Sequence, residues 1–79
     1  MWVQQKAYRL VGVALAAART RAGFTQQELA RRLAKPQSFV SNYESGQRRI
    51  DVLELIRIAD GLGTDPSKLF RDIARRQIK

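Results

Sequence analysis

Apolar residues recur at helical spacing along the chain, and capping and glycine signals divide the pattern into five predicted helices. In the first, roughly residues 5–21, Leu10, Val13, Ala14 and Ala17 form one stripe, which Val11, Leu15 and Ala18 widen. Gly23 is placed to stop it. The second helix has the clearest start signal: Thr25 can cap it, and Glu28 three residues on completes a capping box. Leu29, Ala30 and Leu33 form its inner face, and Glu28 and Arg32 are spaced for an i,i+4 pair of about 0.3 kcal/mol. The turn around Ala34 and Lys35 is too short for two helices to lie side by side. Residues 25–45 therefore read as an angled helix-turn-helix.

Pro36 opens the third helix, where its missing N–H leaves no helical partner unmatched, and Gly46 ends it. Gln47, Arg48 and Arg49 follow as a basic loop. Asp51 and Glu54 form a second capping box before a fourth helix, in which Val52, Leu55, Ile56, Ala59 and Leu62 follow helical spacing with Leu53 and Ile58 beside them. Gly63 stops it. Asp65 and Pro66 open a fifth helix whose inward residues are Leu69, Phe70 and Ile73. Residues 1–8 read as an N-terminal extension and residues 75–79 as a fraying tail. No strand signal appears. The predicted fold class is all-α: one domain over residues 1–79, a compact five-helix bundle around a helix-turn-helix.

The third helix has an unusual outer face. At 100° per residue, Gln37, Ser38, Ser41, Asn42 and Ser45 fall within an arc of about 140°, with Phe39, Val40 and Tyr43 opposite. An ordinary solvated face carries Lys and Glu. These short, uncharged side chains both donate and accept hydrogen bonds, which is what base edges in a DNA major groove require. Ser45 is read as helix-end chemistry rather than as a base contact.

Charge changes the picture in the same direction. The formal net charge is +8 over 79 residues: residues 1–50 hold nine Lys/Arg against two Glu, residues 51–79 six against five acidic groups. The excess lies on the half with the polar-faced helix, so a polyanion, double-stranded DNA, is the expected partner. With no cysteine and no histidine, neither a disulfide nor a typical zinc site is available. No metal or cofactor is expected, and the absence of a catalytic constellation argues against an enzyme. No apolar run is long enough for a bilayer, so no membrane role is expected. The apolar stretch near the start continues into an arginine-rich helical pattern rather than a cleavage site, so it is not read as a signal peptide.

At this point the chain resembles the XRE-type helix-turn-helix family, to which the Cro proteins and repressors of lambdoid phages belong. The resemblance rests on Leu15 and Arg19 (LxxxR), GFTQxELA at 23–30, QSxVSxYESG at 37–46, RRID at 48–51 and LxxIAxxLG at 55–63. It implies a lambda-repressor-like domain. It implies that Gln37, Ser38, Ser41 and Asn42 enter the major groove, and that Gln26, Arg48 and Arg49 contact phosphate. It also implies an ion pair between Arg19 and Glu44 that ties the first helix to the third. Two departures stand out. Pro36 replaces the usual Ser or Thr cap, and Gly61 and Gly12 sit inside helices, each at a cost of about 1 kcal/mol.

The expected function is a sequence-specific, cytoplasmic, nucleoid-associated transcriptional regulator, a repressor acting as a homodimer on a palindromic operator. Antitoxins and restriction–modification controllers are variants within that reading; a protein-interaction module that has lost DNA is the alternative outside it. Candidate contact surfaces for a second copy or another protein are the extension (Trp2, Val3, Tyr8) and the fifth helix (Leu69, Phe70, Ile73). Phe24, Phe39, Tyr43 and Phe70 are expected in the core rather than as stacking platforms for bases. Arg31, Arg32 and Lys35 are expected to be solvated.

Overall fold

The computed structural model describes residues 5–78; Trp2 and Val3 lie outside them. The described residues form helices α1 (Gln5–Ala22), α2 (Gln26–Arg32), α3 (Gln37–Glu44), α4 (Val52–Leu62) and α5 (Pro66–Gln77), with no strand among them. The caps follow the sequence signals. The Thr25 hydroxyl accepts from the Glu28 N–H at 3.0 Å while Glu28 Oε1 accepts from the Thr25 N–H at 2.8 Å. Asp51 and Glu54 repeat the arrangement at 2.8 and 3.0 Å. Asp65 accepts from the Ser67 N–H at 2.9 Å and Pro66 occupies the first turn of α5. α3 starts from Pro36 without a side-chain cap. The α2–α3 turn is made by Ala34 in the left-handed region, φ 56°, and the Lys35 N–H closes back on the Ala30 carbonyl at 3.0 Å. That geometry swings α3 across α2 rather than alongside it.

One core gathers Leu15, Leu29, Val40, Tyr43, Ile58 and Leu69, all essentially without solvent exposure. α1 runs through the bundle, packed along α5 and against α3. Gly12 makes the α1–α3 approach possible: a Cβ there would overlap the carbonyl oxygens of Tyr43 and Glu44. Gly61 has a related role on α4, where a Cβ would meet Leu33 Cδ2 at 3.0 Å. Both in-helix glycines thus trade helix propensity for close approach.

Several sequence expectations are corrected. Phe70 is 59% exposed and is not core, whereas Leu69 and Ile73 are buried. Val13 of α1 and Val52, Leu53 and Ile56 of α4 are also exposed: α1, α4 and α5 each carry more apolar residues than one inward stripe can bury. The tail does not fray at residue 75. α5 continues to Gln77, whose amide donates to the Ala7 carbonyl of α1 at 2.7 Å and ties the two helix ends together. Glu28 and Arg32 form no ion pair. Glu28 is committed to its cap, and Arg32 instead reaches the Gly61 carbonyl at 2.8 Å with its guanidinium 4.9 Å from the Phe24 ring centre.

Candidate nucleic-acid interface

Val40 and Tyr43 anchor α3 in the core, and Phe39 packs edge-on to Tyr43 with ring centres 5.4 Å apart. This fixes the rotation of the helix, so Gln37, Ser38 and Asn42 face solvent and Ser41 is half-buried. The Ser41 hydroxyl donates to the Ser38 carbonyl at 3.3 Å and that of Ser45 to the Asn42 carbonyl at 3.0 Å, local bonds that an incoming acceptor can replace. Ser45 is the C-cap of α3.

Behind this face four side chains are linked in series. Arg19 donates to both oxygens of Glu44, from Nε at 2.7 Å and Nη2 at 3.0 Å, and its Nη1 donates to the Phe24 carbonyl at 2.8 Å. The Gln26 amide donates to Glu44 Oε1 at 2.9 Å, and Gln37 Nε2 lies 3.4 Å from Gln26 Oε1. The Glu44 side chain is only 6% exposed, so its charge is compensated almost wholly by these donors. Donating to the Glu44 carboxylate raises the Arg19 pKa above its ordinary value. Gln26, at the first turn of α2, thereby meets Gln37, at the first turn of α3.

The basic loop is anchored at both ends. The Gln47 and Arg48 N–H groups both donate to the Asn42 carbonyl, at 2.9 and 3.1 Å. Arg48 lies with its guanidinium 4.8 Å from the Phe39 ring centre and donates to the two oxygens of Glu54 at 3.0 and 2.8 Å. Its partner Glu54 is held below the usual carboxylate range, first by Arg48 and then by the Asp51 N–H. Arg49 stacks over the Tyr8 ring at 4.6 Å, and Lys35 over Phe39 at 5.5 Å. From spacing alone Glu54 has only its capping role, and neither Phe39 nor Tyr8 stands out as a cation platform. The second role of Glu54 has a weak sequence signal, its position six residues after Arg48 at the end of a loop.

The surface so assembled has uncharged hydrogen-bonding groups along α3 at its centre, with Lys35, Arg48 and Arg49 held on aromatic platforms in the segments that border the helix, and Gln26 of α2 in contact with Gln37. Centre and border match the two demands of duplex DNA, base edges and phosphates. The helix-turn-helix family model matches residues 15–69. No curated protein sequence matches the chain. Among solved structures, an XRE-family like protein from Pseudomonas syringae pv. tomato is 44% identical, with a TM-score of 0.77 over 89% of this chain and 85% of that one. The restriction-modification controller protein C.AhdI from Aeromonas hydrophila is 29% identical, with a TM-score of 0.77 over 84% of this chain and 96% of its own. The clp gene regulator ClgR from C. glutamicum shares the fold, with a TM-score of 0.83 at 22% identity over 92% of this chain and 94% of its own.

Proposed function

The chain belongs to the XRE family of helix-turn-helix proteins, and on that premise we propose that it is a DNA-binding transcription regulator, a repressor that reads a palindromic operator as a homodimer. The observation that carries this reading is the outer face of α3, uncharged and hydrogen-bonding in a chain of net charge +8. In the proposed mechanism α3 lies in the major groove. Gln37 makes a bidentate contact to a base, Ser38 donates or accepts beside it, and Ser41 and Asn42 meet the next base pairs along the helix. Gln26, Arg48 and Arg49 contact the flanking phosphates and set the register. One such module reads few base pairs. Two copies on half-sites about 34 Å apart would supply the rest of the specificity, and bound protein would exclude polymerase.

No helix among the described residues is long and apolar enough to cross a membrane, and the proposed place of action is the cytoplasm, on the nucleoid. The likeness to C.AhdI favours one variant, control of a restriction–modification operon. A restriction or methylation gene beside the coding sequence would support that variant.

Selection of bound sites from a random duplex pool near physiological salt tests the reading. An enriched inverted repeat is the expected result. Binding without enrichment, fading smoothly as salt rises, would mean backbone attraction alone and would overturn sequence-specific regulation.

A further inference from the structure

Arg48 is a long side chain on a loop, yet its guanidinium is held from several directions at once. Its face lies 4.8 Å from the Phe39 ring centre. Nη1 donates to the Arg49 carbonyl at 2.8 Å and to Glu54 Oε1 at 3.0 Å, and Nη2 donates to Glu54 Oε2 at 2.8 Å. Glu54 is in turn fixed by α4, because its Oε1 also accepts from the Asp51 N–H at 3.0 Å in the capping box. The end of Arg48 is thus docked on the start of α4 through a bidentate pair.

A guanidinium carries five N–H donors in one rigid plane. Three are occupied here: both on Nη1, and the Nη2 N–H beside them. The Nε–H and the outer Nη2 N–H remain. They lie parallel on one edge, the fork that matches two oxygens of a phosphate. We propose that Glu54 is a positioning residue for DNA recognition: it fixes the Arg48 guanidinium before DNA arrives and leaves this edge for a backbone phosphate. The proposal rests on the DNA-binding reading above. Ordering a long side chain only in the complex is unfavourable; here the ordering is completed in the fold. The Arg48 N–H donates to the Asn42 carbonyl at 3.1 Å, so the edge is held in a fixed relation to α3, and a phosphate seated on it sets the register of that helix. The raised pKa of Arg48, caused first by its bond to Glu54, agrees with a pair that stays closed.

Glu54 also presents a negative charge to a polyanion. If charge were its only effect, removing it would tighten binding to every sequence alike. Positioning has a different signature. An operator complex requires one geometry, whereas a random duplex accepts many, so the loss falls on the operator.

Glu54→Gln tests this. Glutamine serves equally at this capping position and keeps an Oε1 for the Asp51 N–H, so the helical circular dichroism should be kept. Its amide nitrogen replaces Oε2 and offers Arg48 Nη2 no acceptor. Fluorescence anisotropy at one salt concentration gives the affinity of each protein for the selected inverted repeat and for a random duplex of equal length. The ratio of the two affinities is expected to fall about two- to tenfold in Glu54→Gln. Arg48→Ala/Glu54→Gln is expected to show the same ratio as Arg48→Ala alone. An unchanged ratio, with both affinities rising together, would reduce Glu54 to a charge and overturn the proposal. A further fall in the double variant would also overturn it, because Glu54 would then act without Arg48. A wild type that prefers no sequence would overturn the regulator reading and the proposal with it. Should Glu54→Gln unfold, NMR of the wild type decides. On addition of the inverted repeat the Arg48 Nε–H resonance is expected to move while that of the Glu54 carboxylate carbon stays. A carboxylate signal that moves to the position of a solvated group would show that phosphate displaces Glu54, and would overturn the proposal.

Discussion

Arg19 grips Glu44 through two parallel hydrogen bonds, 2.7 and 3.0 Å, and by this pair α1 holds the C-terminal end of α3. The carboxylate also receives the Gln26 amide, and its side chain is 6% exposed. Removing it leaves a guanidinium and an amide facing a site without an acceptor. Glu44→Ala should lose about 3 kcal/mol of folding stability, and DNA binding with it. Urea denaturation measures this. A variant that melts like the wild type would show that the pair contributes little.

Gly12→Ala should be comparably damaging, for a different reason. The added methyl meets two backbone carbonyl oxygens of α3, which cannot rotate aside, so α1 must shift relative to α3. A loss of about 3 kcal/mol is expected. Gly61→Ala is the control. Its methyl meets only the ends of Leu33 and Leu29, at 3.0 and 3.3 Å, and the gain in helix propensity of about 1 kcal/mol opposes the crowding. Its midpoint should stay near that of wild type. Equal losses for the two variants would contradict the distinction between rigid and yielding neighbours.

These glycines mark where sequence reading reached its limit. Helix boundaries were legible because caps are local. Thr25 with Glu28, Asp51 with Glu54, and the glycines after α1, α3 and α4 state their roles within a few residues. Gly12 could be read only as a helix defect, since its reason lies 31 residues away in α3. Phe70 was misplaced because α5 periodicity sets Leu69, Phe70 and Ile73 close together on a helical wheel, and only packing against α1 and α4 decides which of them turn inward. At the interface, face membership of Gln37, Ser38 and Asn42 followed from the 100° rotation alone. The engagement of Arg48 by Glu54 and Phe39 did not, because it needs the turn that brings α4 back toward α3.

Tyr43 gives a pH prediction. Its hydroxyl is buried with no hydrogen-bond partner among the described residues, and burial pushes its pKa well above the ordinary 10.0. The folded state therefore holds the phenol proton more tightly than the unfolded chain. Stability is fully present below pH 10 and falls as pH rises beyond it, by up to about 1.4 kcal/mol per pH unit from this group. Tyr43→Phe removes an unpaired polar atom. It should be as stable as wild type or more so at pH 7, by about 1 kcal/mol, and should lack that part of the alkaline decline. Denaturation curves of both proteins at pH 9 and 11 would show the difference. Parallel declines would mean that the hydroxyl ionises freely in the fold.

Arg48→Ala should have a structural effect besides its effect on DNA affinity. Arg48 is bound to Glu54 and lies on Phe39, so Arg48→Ala should loosen the α3–α4 loop and lower stability as well as affinity. Each lost phosphate contact should also reduce the slope of log affinity against log salt by about 0.9, or roughly 2 for the Arg48→Ala/Arg49→Ala double variant, equally on unrelated DNA sequences. A loss confined to one sequence would mean that these side chains read bases instead.

Gln37 and Gln26 provide the sharpest test of readout, because their amides lie 3.4 Å apart and one can set the other's orientation. Gln26 is itself fixed by Glu44 at 2.9 Å, so its Oε1 is presented to the Gln37 amide N–H, leaving the Gln37 carbonyl oxygen to face outward. If Gln37 reads a base, Gln37→Ala should relax specificity at one position of the selected site, by about 1–3 kcal/mol of discrimination. Gln26→Ala should weaken binding to all sites through loss of the proposed phosphate contact and also blur that same position, since the Gln37 amide is then free to flip. A double variant no less discriminating than Gln37→Ala alone would place the two residues in one unit. Additive losses of discrimination would mean that each acts on the DNA separately and that the bond between them has no part in recognition.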